Sequence, residues 1–598
     1  MRKTAPSLTL LLALVALLAA FPNSAAAQDD PPGRVARLNY VEGSVSYQVS
    51  GDQDWVQADT NRPLTTGDNL WADKDSRGEV HIGSTAIRMS SETGISFLTL
   101  DDRTTQIQLA QGTIEVHLRI LQTGDAFEVD TPNLAFTLTR AGEYRVETDP
   151  NGSSTAIVVR EGEGEVTGGG QTWDLQPGQQ YTFNGADQLA YDASGAPPFD
   201  DFEDWCQSRD QRENNAVSAK YVSRDIDGYY DLDDYGSWES DADYGQVWVP
   251  NGVAVGWVPY HTGHWVFIQP WGWTWVDAEP WGWAPFHYGR WYYFHDHWGW
   301  VPGPVVVRPV YAPAVVGFVG GGGFGLSVSF GGGFAGVGWF PLGPRDVFVP
   351  AYHCSPRYFQ TINVTNTRVV DVTVVRNFYN TTVINRDYTR LNYTYANNER
   401  ALTVVSRNTF VNARPVDRDN LHIDADQIRG ARLVDSAPLA PTRSSYVSAT
   451  ARVSNARPSF SFAQRPVVAK LNPAVETQRR TPQFTNDSRE FNQPRTENQP
   501  PANNQQQSRD GFRPFTPPSG ANNRPAQPSD TTESNRFNQT PQNEARPAMR
   551  FTQPAKARDD MYDVHPPLNN KPSESEPKHE EKRSESSHSH SDDHPPKK

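Results

Sequence analysis

Between about Arg34 and Asn184 apolar and polar residues alternate in short runs, "RVARLNYVEGSVSYQV", "GEVHIGSTAIRMS", "GISFLTL", "TQIQLAQGTIEVHL", "AFEVDTP", "AFTLTRAGEYRVETD" and "TAIVVREGEGEV". Ile107 with Leu109, and Ile114 with Val116 and Leu118, fall two apart, so each run predicts a strand with one side on a core and the other in water. Gly, Asp-Asn and Pro punctuate the runs, which predicts an all-β sandwich or roll over residues 34–190. At residues 198–222 the period lengthens: Phe202, Trp205, Cys206 and Arg209 form a helical stripe, with Pro ahead and acidic residues in the first turns. This predicts a helix bridging the first domain to a second.

The second domain, residues 225–350, holds most of the aromatic density. Eight of the 17 tryptophans lie within residues 270–300. Gly256-Trp257-Val258-Pro259-Tyr260-His261 is echoed twenty-six residues later by Gly282-Trp283-Ala284-Pro285-Phe286-His287. Trp271-Gly272-Trp273 is echoed twenty-seven later by Trp298-Gly299-Trp300. Repeats of this length are single supersecondary units that bury their apolar face against neighbours. In the middle copy "HWVFI" and "WTWVD" flank Gln269-Pro270-Trp271-Gly272, which predicts a β-hairpin. An aromatic ring offers roughly 150–250 Å². At about 25 cal/mol per Å², leaving a dozen exposed forfeits tens of kcal/mol, several times the net stability of a domain. Most rings therefore belong inside. A minority, Trp273, Trp283 and Trp291 with Tyr288, His287 and Arg290 on glycine-rich rims, is expected to form a stacking platform for a sugar or another flat ligand, with Tyr260 and His261 beside it.

Residues 351–434 are rich in Asn, Thr and Val and are expected to be extended, as strands or a coat. Residues 435–598 turn to Pro, Gln, Asn, Ser and Arg, with too little apolar surface to offset chain entropy, and are expected to be disordered. The first 27 residues combine two positive charges, an apolar run from Leu8 to Ala20 and Ala25-Ala26-Ala27, the order of a cleavable secretory signal. Export to the periplasm or exterior is the expectation, with no membrane span after cleavage. A net charge of −16 argues against nucleic acid, which needs clustered Lys and Arg. Cys206 and Cys354 leave both a disulfide and two buried thiols open.

Two resemblances follow from these residues. "SRGEVHIGSTAIRMSSETGISFL", "IQLAQGTIEVHL", Val129-Asp130-Thr131-Pro132, Arg160-Glu161-Gly162 and Leu175-Gln176-Pro177-Gly178 make residues 35–185 resemble the FecR-type extracytoplasmic domain. Where that family often carries Gly-Thr-x-Phe-x-Val, this chain has Gly142-Glu143-Tyr144-Arg145-Val146. Sigma-factor regulators of the family place a cytoplasmic region and a membrane helix before the domain, where this chain shows only the signal-like segment. "YVSRDIDGYYDLDDYGSW", "GWAPFHYGRW" and "VGWFPLGPRD" make residues 220–350 resemble a tryptophan-rich domain of unknown function that follows FecR-type domains in exported bacterial proteins.

Signatures of the commonest hydrolases, metalloproteases and redox proteins are absent from the text: Gly-x-Ser-x-Gly, His-Glu-x-x-His and Cys-x-x-Cys. Strand alternation separates Asp296 from His295 and His297, which speaks against a metal there. Asp225, Asp227, Asp231, Asp233 and Asp234 lack the closing bidentate Glu of a calcium loop, so a solvated acidic turn is expected. These observations predict an exported, non-enzymatic envelope protein without metal or cofactor, binding a glycan or cell-wall polymer. The alternative is a FecR-type periplasmic sensor acting through a protein partner.

Overall fold

The computed structural model describes residues 30–320, 328–330, 334–384, 392–421, 432–434, 437, 439–449, 451–458 and 465–474. The segment 1–27, expected to be a secretory signal, and the tail beyond residue 474 lie outside the described residues. The fold is all-β in class, with strands in several sheets.

Strands between Ala36 and Gly195 form a roll of two layers that share one strand, Thr104–Leu118. Its first half pairs with Thr93–Leu100 and, in parallel, with Ala126–Asp130. Its second half pairs with Thr85–Met89 and Gly142–Thr148 in the other layer. The strand passes between layers at Gly112, whose φ of +91° and whose approach to Thr93 leave no room for a Cβ. Ile107, Leu109, Ile114, Val116, Val129, Phe136 and Val146 meet inside as one apolar core, as the alternation predicts.

Helix α1, Asp201–Asn215, lies across the layer of Thr85–Met89 and Gly142–Thr148, whose Arg88 and Arg145 reach its Asp210 and Glu203. Asp200 caps it, accepting from the backbone N–H of Phe202 and Glu203. Its inward face is more charged than the stripe suggests, because Glu203, Asp210 and Glu213 are buried along with Phe202 and Cys206.

The tryptophan repeats fold as three hairpins. The first, Gly236–Asp241 with Gly245–Pro250, and the third, Arg290–Phe294 with His297–Val301, join through the Trp248–Trp300 pair into one four-stranded sheet. The middle hairpin, Gly263–Ile268 with Gly272–Asp277, keeps its own two-stranded ladder, in which Trp265 faces Trp275. A further sheet, including Val316–Gly320, Phe334–Pro341 and Thr403–Ser406, closes the same interior. Trp265 sits at its centre, with ring centroids 5.5 Å from Trp275, 5.3 Å from Trp339 and 5.3 Å from Phe410.

Two expectations about the C-terminal half are corrected. Residues 351–434 are not simply extended: they form helices Pro356–Val364, Val372–Phe378 and Arg407–Val411 besides the strands Thr403–Ser406 and Arg432–Val434. Ser355, Asp371 and Ser406 cap these helices, and Pro356 starts the first, so capping and the burial of Phe359, Ile362 and Phe410 override the strand-like Thr and Val content. Residues expected in the disordered tail, among them 439–449, 451–458 and 465–474, instead lie along the roll and the tryptophan block: Arg62 donates to Tyr446 O and Gln57 N to Arg452 O.

The roll and the tryptophan block have separate apolar interiors, joined by a layer of buried charge. Arg88 reaches Glu79 at 2.8 Å, Asp210 of α1 at 2.9 Å and Glu115 at 3.1 Å. His81 lies 3.0 Å from Glu79 and 3.2 Å from Asp227. Arg37 pairs with Asp231 at 3.0 Å, donates to Pro280 O at 3.2 Å and stacks over Trp283. Asn61 adds a bond to Glu279 O at 2.7 Å. Burial opposes charge on His81, but Asp227 and Glu213 outweigh it and push its pKa up to about 10. Burial likewise opposes charge on Asp210, but bonds from His117 and Arg88 pull it down to about 2.

Because an unfolded histidine titrates near ~6.5, the His81 contribution is complete below that pH and is lost as pH rises toward about 10. Urea unfolding at pH 6, 8 and 9.5 is expected to show wild type losing its advantage over His81→Gln as pH rises; a difference constant across that window contradicts the assignment.

Candidate functional site

The tryptophan platform expected from sequence is interior. Trp283 and Trp291 are 1% exposed, His287 is fully buried, and Arg290, Tyr288 and Trp273 are buried as well. Trp283 packs on His287 and stacks with Tyr311. Trp291 meets Trp257 and Phe286. Trp273 donates through Nε1 to Leu439 O at 3.1 Å. The Tyr288 carbonyl accepts from Trp300 Nε1 at 2.8 Å. His287 Nδ1 sits 2.8 Å from Ala312 O, and burial, its largest influence, holds its pKa down at about 3. Arg290 donates to Gly289 O and Asn363 Oδ1. The area argument that placed most rings inside extends to Trp273, Trp283, Trp291 and Tyr288, while hydrogen bonds to Ala312 O, Gly289 O and Asn363 hold His287 and Arg290 among them, so all six are core residues and the platform assignment is corrected.

The remaining sequence candidates have structural roles. Asp227 and Asp231 pair with Arg37, Asp234 with Arg212, and Asp233 accepts from Ser218 N, so the acidic turn is a set of ion pairs and caps rather than a solvated loop. His295 and Asp296 take positive φ at the tip of the third hairpin. Cys206 and Cys354 are separate buried thiols. Among the described residues two groups have ligand-type composition, Glu79 with His81 and Glu213, and His117 with Glu143 and Asp210. In both, arginine already fills the charge: Arg88 contacts Glu79, Glu213 and Asp210, and Arg119 contacts Asp210. Against burial, Asp227 and Glu213 raise the pKa of His81, which favours its protonated, ion-paired form.

The concave site lies elsewhere, where the roll meets the turn of the middle hairpin. A cavity of about 440 Å³ is lined on the roll side by Arg34, Arg62 and Asp68 and on the hairpin side by Phe267 and Trp271, with Tyr446 between them. Phe267 stands edge-on to Tyr446, centroids 5.7 Å apart. Arg62 lies over the Tyr47 ring at 4.5 Å and donates through Nη2 to Tyr446 O at 2.7 Å. Arg62 is 4% exposed, and its Nε has no hydrogen-bond partner among the described residues. Arg34 is fixed by bonds of 3.0 and 2.6 Å to Asp101 O, and its pKa is lowered, chiefly by burial and next by Arg308. Asp68 accepts from Ser50 N and Thr65 N, both at 2.9 Å, while burial raises its pKa. Flat rings, fixed guanidiniums and one carboxyl suit the binding of a polar ligand with an apolar face.

Sequence reasoning passed over most of these residues. Trp271 and Phe267 stood inside the quoted hairpin, but Arg34, Arg62 and Asp68 belong to turns of the roll with no motif, and Tyr446 fell in the segment expected to be disordered.

A family model described as a family of unknown function, DUF6600, matches residues 229–346, the tryptophan block. No curated protein matches the chain. Two crystal structures, at 2.50 and 1.65 Å, of a candidate anti-sigma factor from Parabacteroides distasonis ATCC 8503 share 16% identity with it. Each match covers 21% of this chain and 59% of the other, with a TM-score of 0.19, a likeness that assigns neither fold nor function. The chain thus spans about three fifths of the length of the structures it matches.

Trp283→Ala is expected to behave as a core deletion, lowering the unfolding free energy by about 3–5 kcal/mol in urea denaturation; a loss under about 1 kcal/mol contradicts the interior placement.

Proposed function

We propose that this chain is an exported, non-enzymatic binding or scaffolding module of the cell envelope, and that the cleft between Arg62 and Phe267 takes a glycan or cell-wall polymer. The observation that carries the reading is the cleft itself: two partly exposed rings, Phe267 and Tyr446, over the buried Trp271, with two held arginines and a buried arginine Nε left without a partner among the described residues. A sugar ring presents an apolar face to an aromatic and hydroxyls to guanidinium and carboxyl groups, which is the chemistry this lining offers. Asp68 is the one carboxylate among the lining residues, and both of its oxygens are engaged by backbone N–H groups. Paired carboxylates, which hydrolysis of a glycosidic bond ordinarily needs, are not what this lining presents, so the reading is of binding rather than cleavage. The signal-like first 27 residues and the FecR-like run over residues 35–185 support an envelope location. No helix among the described residues is long and apolar enough to cross a membrane.

A second reading, a FecR-type periplasmic sensor acting through a protein partner, rests on the same FecR-like residues. The two separate in one experiment. Isothermal titration with soluble peptidoglycan fragments and envelope polysaccharides is expected to find a ligand whose affinity falls about 3–10-fold in Phe267→Ala, the worth of one stacked ring. Arg62→Lys, which keeps the charge but not the planar fork, is expected to weaken it similarly, with thermal unfolding close to wild type. Binding unchanged in both variants removes the cleft reading; an envelope protein retained equally by wild type and both variants, with no glycan bound, favours the sensor.

A further inference from the structure

Alternation along the roll puts Gln106 and Gln108 on the outer face of the layer that holds Thr93–Leu100 and Ala126–Asp130, and the parallel register sets Glu128 beside Gln106 and Asp130 beside Gln108. Such a face ordinarily stands in water. Here all four side chains are buried, because residues 465–474 run across them.

The recognition is mostly of backbone. Lys470 N and Leu471 N both donate to Glu128 Oε1, at 3.0 and 2.9 Å. Gln106 Nε2 donates to Leu471 O at 3.1 Å and Gln108 Nε2 to Arg465 O at 3.3 Å. Val468 N donates to Thr131 O and Ala474 N to Thr99 Oγ1. Two cationic side chains add charge: Arg465, at the start of the strap, donates to Ala110 O and Pro150 O, and Lys470, in its middle, pairs with Glu165. None of residues 465–474 enters the buried apolar clusters of the described residues. The strap is therefore held as a bound peptide is held, by main-chain bonds and charge, and not as a strand is held, by a share of the core.

We propose that this polar sheet face is a docking site for an extended, cationic peptide read through its backbone, filled in cis by residues 465–474 and open in trans to the same residues of a second copy of this chain. The second copy is the occupant because its segment carries every bond just described. Residues 459–464, outside the described residues, are the chain between the two described stretches of the strap, and cutting there turns the cis occupant into a free ligand.

The test uses the full chain with a protease site placed within residues 459–464, and as probe a fluorescent peptide of residues 465–474. After cleavage the chain is expected to take up the probe saturably. The uncut chain is expected to bind it at least about tenfold more weakly, because the tethered segment competes at high effective concentration. A probe N-methylated at Leu471 is expected to lose about tenfold or more through its missing backbone donor, whereas Val468→Ala in the probe leaves binding within about threefold. Glu128→Ala in the cleaved chain is expected to abolish uptake while its circular dichroism stays that of wild type. A cleaved chain that holds its own C-terminal piece against excess probe, or loses that piece without taking up the probe, overturns the proposal. Sedimentation of the uncut chain at rising concentration tests the second copy: dimers that the free probe dissolves support it, and dimers indifferent to the probe, or a monomer throughout, overturn it.

Discussion

The fold rests on a layer of buried charge between two apolar interiors. Arg88 and Arg37 each sit among carboxylates drawn from different parts of the chain: the first collects Glu79 and Glu115 from the roll and Asp210 from α1, the second Asp227 and Asp231 from the turn that opens the tryptophan block. Such pairs add little net stability over a well-packed apolar contact, yet removing one partner strands a charge out of water, at a cost of about 3–5 kcal/mol. The layer therefore acts as a register. It admits one placement of the hairpins on the roll, and that placement brings Phe267 and Trp271 opposite Arg62 and Asp68.

How much of this was legible in the sequence follows the range of each interaction. Ile107, Leu109, Ile114 and Val116 announce their strand because a period of two is a local property, and the hairpin around Gln269-Pro270 is equally local. The helices after Pro356 were hidden because Ser355, Asp371 and Ser406 decide them from single capping positions within Thr- and Val-rich text. The cleft was hidden for a different reason. Its walls come from turns near Arg62, Phe267 and Tyr446, which the charge layer and the segment 439–449 bring together across long stretches of chain.

Tryptophan density also pointed the wrong way. A cluster of rings is visible in text whether it faces ligand or core, and area alone favours the core. The structure carries that preference through to Trp273, Trp283 and Trp291, each of which meets other aromatic rings edge-on, tilted or stacked. At the hairpin turn Trp271 is likewise buried and meets Tyr311 edge-on, and the rings that keep partial exposure beside the cavity are Phe267 and Tyr446.

The polar lining beneath the strap has one further consequence. Because Gln106, Gln108, Glu128 and Thr99 are hydrophilic, a chain cut short before residue 465 uncovers hydrophilic groups there instead of greasy ones, and water replaces the strap's main-chain partners. The roll is thus built to tolerate both the covered and the bare state of this surface without a tendency to clump, a property that a sheet sealed by apolar side chains lacks.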